Sequence, residues 1–331
     1  MSLSTTSEQP VAEPADAASA PVATAGAPVG APQGDATARG SALAGAQEPA
    51  SLAVGPPEGR LAGWRGRLPG VGTAVALVIL FVVALWAIAP WLLAPGNPVL
   101  GTPADKFLAP SLAHPFGTDH LGRDVLTRVV HGTWRTLATA GLAVGLGVVV
   151  GTLLGLLAGT GGRLADAVTM RLADVLLAIP AILIALVVVT AYQPGPVSLG
   201  IGVGLASIAT FARLTRTEVL RVRGLDFVEA SFLSGASRLA VVRTHVLPHV
   251  LGPVLALLVV ELGAAILAIS GLGFLGFGTP PPAPEWGLLV AEGRQYLAKA
   301  WWMSTLPGAV IVTVVLSLAA CGRALARRGR Y

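Results

Sequence analysis

Six stretches of this chain are apolar enough and long enough to cross a lipid bilayer as helices, and that pattern constrains the fold more than any other feature of the sequence. The hydrocarbon core of a bilayer asks for about 20 apolar residues in a helix. The runs cover 71–94, 137–159, 172–192, 197–211, 253–277 and 303–322, the fourth being short and weakest. Composition agrees, with 54% of the 331 residues hydrophobic, 12% charged and a mean hydropathy of +0.74. Soluble domains carry charge on roughly a quarter of their positions. A water-exposed globule of this size is therefore excluded, because too few polar side chains exist to coat it. The expectation is an all-α, polytopic membrane helical bundle of six transmembrane helices over 69–322.

Ahead of the first run, residues 1–68 are dominated by Ala, Pro, Gly and Ser. Such a segment cannot bury a core, so a disordered tail is expected. It is too long and too polar at its start to read as a secretory signal. Lys and Arg set the orientation, since cytoplasmic segments hold the excess. With the N-terminus inside, sixteen of the 22 basic residues fall in the tail, the 160–171 loop, the 212–250 loop and the short basic end at 323–331. Only Lys106, Arg123, Arg128, Arg135, Arg294 and Lys299 fall outside. Both termini are expected in the cytoplasm, with the chain multi-pass in the cell (plasma or inner) membrane.

Several chemistries lack their residues. A single cysteine, Cys321, allows no internal disulfide, and five scattered histidines offer no zinc-ribbon spacing. The lysines, Lys106 and Lys299, follow Asp105 and Ala298, so the end of a phosphate-binding loop does not occur. No basic stripe suited to nucleic acid is present. The expectation is a protein that is not an enzyme, with no cofactor, no metal and no nucleic-acid partner.

Gly147, Gly151, Gly155 and Gly159 recur every four residues in the second run and line one helical face. Small residues in this pattern let another backbone approach, which makes a helix-packing face the favoured reading over a substrate-lining groove. Glu261 lies deep in the fifth run, where an ionisable group is costly and by default a functional candidate. Pathway lining and a carboxyl satisfied by a neighbouring helix stand as equal readings.

The longest inside loop, 212–250, reads as two short helices joined at a glycine. Asp226 is placed to cap the first, with Glu229 three residues on completing a capping-box-like arrangement. Gly235 suits the left-handed position that ends it. Ser237 is placed to cap the second, and Pro248 to interrupt the helix ahead of the fifth span. Phe227, Val228, Phe232 and Leu233 put large apolar groups in a loop that should face water. Exposed apolar surface rimmed by charge points to a docking site for a protein, with a helix seated in a groove as the mode. His245 and His249 are four apart, but Pro248 lies between them and no third metal ligand is near.

Glu229, Ala230, Ser231 and Gly235, then nine residues and His245, Val246, Leu247 and Pro248, resemble the EAA loop of permease subunits in ATP-binding-cassette importers. Ser231 stands where that family usually has alanine. A second segment, His114, Pro115, Phe116, Gly117, Thr118, Asp119, His120, Leu121, Gly122, Arg123 and Asp124, is similar to the signature of the C-type subunit in dipeptide, oligopeptide and nickel permeases. On its residues alone, Asp119 is placed to cap a helix with Leu121, Val125, Val129 and Val130 as one stripe on the membrane surface, and Asp124 to pair with Arg128 one turn on. A structural cap and lid over the outer mouth is favoured over direct substrate contact. Agreement continues at Arg171, Asp174 and Pro180 and at Phe274, Leu275, Gly276, Pro281, Pro282, Trp286 and Gly287, so the resemblance covers about residues 70–322.

There are departures. Ile269 stands where members often carry a glutamate, and Glu261 is eight residues earlier, about 12 Å along a helix. The C-terminal stretch also lacks the aspartate-rich ending common in such subunits.

The resemblance implies a type I ATP-binding-cassette importer permease fold and a non-catalytic subunit that forms half of a translocation pathway. It implies as partners a second homologous permease subunit, two cytoplasmic ATPase subunits and an extracytoplasmic substrate-binding protein, besides the lipid bilayer. Peptides are the first implied substrate, with a related solute such as a nickel complex next. The competing class is an ion-gradient-driven secondary transporter, which would normally need inverted repeats and paired intramembrane charges. The sequence presents no convincing repeat, and Glu261 has no basic partner in any span.

Overall fold

The computed structural model describes residues 71–328. The expected tail over 1–68 lies outside them, as do the last three residues. Among the described residues the fold is helical, with one isolated bridge between Thr118 and Asp124. Eleven α-helices follow in order: α1 (Val71–Ile88), α2 (Pro90–Leu93), α3 (Val125–Thr160), α4 (Arg163–Ala178), α5 (Ala181–Tyr192), α6 (Pro196–Arg223), α7 (Asp226–Leu233), α8 (Arg238–Val241), α9 (Leu247–Phe274), α10 (Trp286–Arg294) and α11 (Trp302–Arg328). Five helical runs are long and apolar enough to cross a membrane: α1, α3, α6, the run Arg238–Phe274 and α11.

The remaining apolar run is not one straight helix. The apolar run expected at 172–192 divides into α4 and α5, bent by 87°. The cause is local: Ile179 precedes Pro180, a position that disfavours helical geometry, and it sits extended at φ −98° and ψ 128°. Continuous hydropathy hides such a break, because lipid solubility does not depend on backbone direction.

The weakest run became the most enclosed helix. In the most apolar stretch of α6, 56% of residues are buried. Its Ser, Gly and Thr residues lower hydropathy, yet they suit contact with another helix rather than with lipid. That helix is α3, which starts at Val125 and not near 137. Gly147, Gly151, Gly155 and Gly159 face Ser207, Phe211, Thr215 and Val219 of α6 in successive turns. A Cβ on Gly151 would lie 2.6 Å from the Phe211 Cβ, so side chains there would force the two backbones apart.

Pro248 does not interrupt the fifth crossing. The chain passes from α8 through a π turn, Val242–Val246, directly into α9. In an α-helix the proline ring collides with the carbonyl four residues back. The widened turn, closed by Leu247 N–H donating to the Val242 carbonyl, lets the helix continue. The apolar core runs through the α3, α6 and α9 contacts, with Phe211, Leu199, Ile266, Ile269 and Trp286 fully enclosed.

Candidate functional site

Two clusters of side chains lie at opposite ends of the bundle. At the start of α3, residues 101–124 form a cap. Its backbone turns on Gly117 and Gly122, at φ +69° and +78°. A Cβ on Gly122 would collide with the Thr102 carbonyl, which explains glycine there. Thr118 lies buried inside the cap, donating its backbone N–H to Leu108 O at 3.0 Å, while the Trp302 indole donates to Thr118 O at 3.1 Å.

Asp119 is not a helix cap. It is almost fully buried and accepts from the backbone N–H groups of Leu121 (2.8 Å) and Arg123 (3.0 Å), from Arg123 Nε (2.6 Å) and from Arg128 Nη1 (3.0 Å). Glu292 of α10 completes the group, accepting from Arg128 Nη1 at 2.5 Å and Arg123 Nη2 at 3.4 Å. Two carboxylates and two guanidiniums thereby neutralise one another away from water. Removing one member of such a group leaves an uncompensated buried charge.

The helix cap is Asp124, whose Oδ1 accepts from Thr127 N–H at 2.7 Å. Asp124 pairs with His114 through Oδ2 and Nδ1 at 2.9 Å, not with Arg128, which turns inward to Asp119 and Glu292. The expected stripe on the membrane surface is also corrected. Val125, Val129 and Val130 are buried against the bundle, and Leu121 lies outside the helix, half-exposed. Pro115 is exposed at the rim.

At the far end, α7 and α8 form the loop between α6 and α9. Asp226 is the first residue of α7 rather than its cap; Leu225 holds the cap position, and no side chain bonds there. The capping-box arrangement with Glu229 is therefore not formed, because Asp226 already has helical geometry. The other end of α7 follows local chemistry closely. Gly235 has φ +85°, its N–H donates to Phe232 O at 3.0 Å, and Ala236 N–H donates to Ser231 O at 3.1 Å. These two bonds are a Schellman closure. Ser237 caps α8, its Oγ accepting from Ala240 N–H at 3.3 Å.

Glu229 and Ala230 face outward, and Phe227, Phe232, Leu233 and Leu239 expose apolar surface around them. Val228 does not belong to that surface; it is fully buried and seats α7 on the bundle. Ser231 Oγ lies 3.2 Å from His245 Nε2, half-buried beneath the helix. Leu247 is half-buried and Pro248 exposed at the start of α9. Among the described residues no group of three or more His, Cys, Asp or Glu is placed to hold a metal ion.

Glu261 stands mid-way along α9, half-buried and in no ion pair among the described residues. It joins neither cluster. Glu292 and Trp302 are participants that the sequence does not single out. The acid of α10, between Ala291 and Gly293, is the signal by which Glu292 could have been found, since a charge in so apolar a protein needs a partner.

Comparison with known proteins fits this arrangement. Residues 151–331 match the model of the family described as binding-protein-dependent transport system inner membrane component. The di/tripeptide transport system permease protein of Pseudomonas aeruginosa is 39% identical over 209 residues, 63% of this chain and 69% of that protein. A putative peptide transport system permease protein of Brucella suis is 40% identical over 255 residues, 76% of this chain and 84% of that protein. Among solved structures, an inward-facing methionine ATP-binding-cassette transporter aligns with a TM-score of 0.51 at 21% identity, over 62% of this chain and 98% of that one. With a family model across more than half its length and relatives near 40% identity, the chain belongs to the binding-protein-dependent transport system inner membrane components, the permease subunits of ATP-binding-cassette importers.

Proposed function

We propose that this subunit forms half of the membrane path of a peptide importer and is driven through α7 by cytoplasmic ATPases. The observation that carries the reading is the α7 surface: a short helix closed at Gly235, with Glu229 and Ala230 outward and apolar side chains around them. It is a helix shaped to enter a groove. A second permease subunit completes the path, two ATPase subunits receive the two such helices, and an extracytoplasmic binding protein delivers substrate at the cap. The α7 end faces the cytoplasm, in line with the excess of Arg there.

ATP binding shifts the permease between inward-open and outward-open states only insofar as docking energy at α7 differs between them. Di- and oligopeptides are the substrates, a reading supported by the names of the relatives. Glu261, mid-membrane without a partner charge, is assigned to the pathway wall.

The test is reconstitution of the complete importer in proteoliposomes with Glu229→Ala and Gly235→Asp. Membrane insertion should persist while ATPase coupling and labelled-peptide uptake fall together. Normal uptake and normal substrate-stimulated turnover in both variants overturn the assignment of α7. Uptake of a nickel chelate in preference to peptides overturns the substrate class.

A further inference from the structure

The attachment of α7 to the rest of the bundle is uneven. Toward α6 it hangs on a two-residue link, Gly224 and Leu225. Toward α9 it is held by side chains. The Phe227 ring lies against two histidines, 5.6 Å from the centroid of His245 at 70° and 5.6 Å from that of His249 at 33°. Ser231, one turn further along α7, places Oγ 3.2 Å from His245 Nε2 and donates to Phe227 O at 2.9 Å. His249 Nδ1 is 2.6 Å from His245 O, which ties the second ring to the π turn.

We propose that Phe227, packed against His245 and His249, is a positioning residue that makes α7 move as a rigid extension of α9. The inference rests on the reading of α7 as the ATPase-docking helix. Without the ring contact α7 would be held by the glycine link, by buried Val228 and by the turn into α8, and a push on it would reach α9 only around that turn. The ring clamp gives the displacement a second route, through the π turn into α9, which enters the membrane and packs in the core. The π turn contributes by its wider ring, since it is the one place where this continuous helix departs from α geometry.

The experiment uses the reconstituted importer with His249→Ala, with His249→Phe to restore an aromatic face, and with Phe227→Leu as the apolar variant without a ring on the other side. Two readouts are taken: crosslinking to the ATPase of a cysteine at the exposed end of α7, Ser234→Cys in a Cys321→Ser background, and peptide transported per ATP hydrolysed. Aromatic pairs of this kind correspond to about fivefold in the population of one arrangement. Transport per ATP should fall about fivefold in His249→Ala and recover in His249→Phe, with the crosslink retained in both; in Phe227→Leu, whose side chain is also half-exposed on the docking surface, it should fall at least as far. An unchanged ratio in Phe227→Leu, with the crosslink intact, overturns the clamp and leaves the docking assignment standing. Absence of the crosslink in the otherwise native protein overturns the docking assignment itself. Should His249→Ala fail to assemble, Phe227→Leu decides the question alone.

Discussion

The cap and the α7 loop solve opposite problems with the same small vocabulary of turns and caps. Both use a glycine at positive φ, and both start a helix with a side-chain cap. They differ in where the charges go. In the cap, Asp119, Arg123, Arg128 and Glu292 are turned inward and spend their charge on one another. In the loop, Asp226, Glu229, Arg238 and Arg243 all point to solvent. A buried ionic group fastens an element in one geometry, whereas an exposed rim around apolar side chains leaves a surface ready for a partner. The permease is fastened by paired charges at one end and presents apolar side chains with a charged rim to solvent at the other.

That contrast can be broken most directly through the charges. Arg128→Ala leaves Asp119 and Glu292 to share Arg123, so that one buried carboxylate is uncompensated, and unfolding by SDS titration in mixed micelles should show a loss of about 3–5 kcal/mol. Arg238→Ala in the loop should stay within about 0.5 kcal/mol of the parent. Equal losses would show that the cap's charges are not the fastening.

The glycines sharpen the comparison further. Gly122→Ala combines a positive φ with a clash against the Thr102 carbonyl, while a Cβ at Gly235 meets nothing within 4 Å. Gly122→Ala should therefore cost about 2–3 kcal/mol, and Gly235→Ala about 1 kcal/mol from backbone strain alone. The same titration, run on the pair, would undo this account if the order reversed. Smaller losses than at Arg128 or Gly122 are expected at the helix caps. Asp124 bonds both Thr127 N–H and His114, so Asp124→Ala should lose about 1–2 kcal/mol, against about 0.5–1 kcal/mol for Ser237→Ala.

Much of the loop was legible because its features are short in range. The left-handed turn at Gly235 and the cap at Ser237 depend on residues within a turn of themselves. The cap was legible as a motif but not as a set of bonds. Asp119, Asp124 and Arg128 are close enough in sequence to permit several pairings, and the choice was made by Glu292, 164 residues from Arg128. Pro180 is a local break that went unread within an unbroken apolar run, and Pro248 is the converse, a proline accommodated by a π turn.

From the order of its amino acids alone, this chain was bound to be a membrane bundle, because its apolar residues outrun what water would tolerate and gather in stretches that match the thickness of a bilayer. The same order set its glycine faces and its tight turns, which depend on neighbours. Only the tertiary structure decided that α4 and α5 part at a right angle, that the weakest apolar run lies deepest, and that Asp119 belongs to Arg128. Hydropathy measures how well a segment leaves water, but ion pairing and helix contact depend on what stands opposite, and that is known only once the chain has closed.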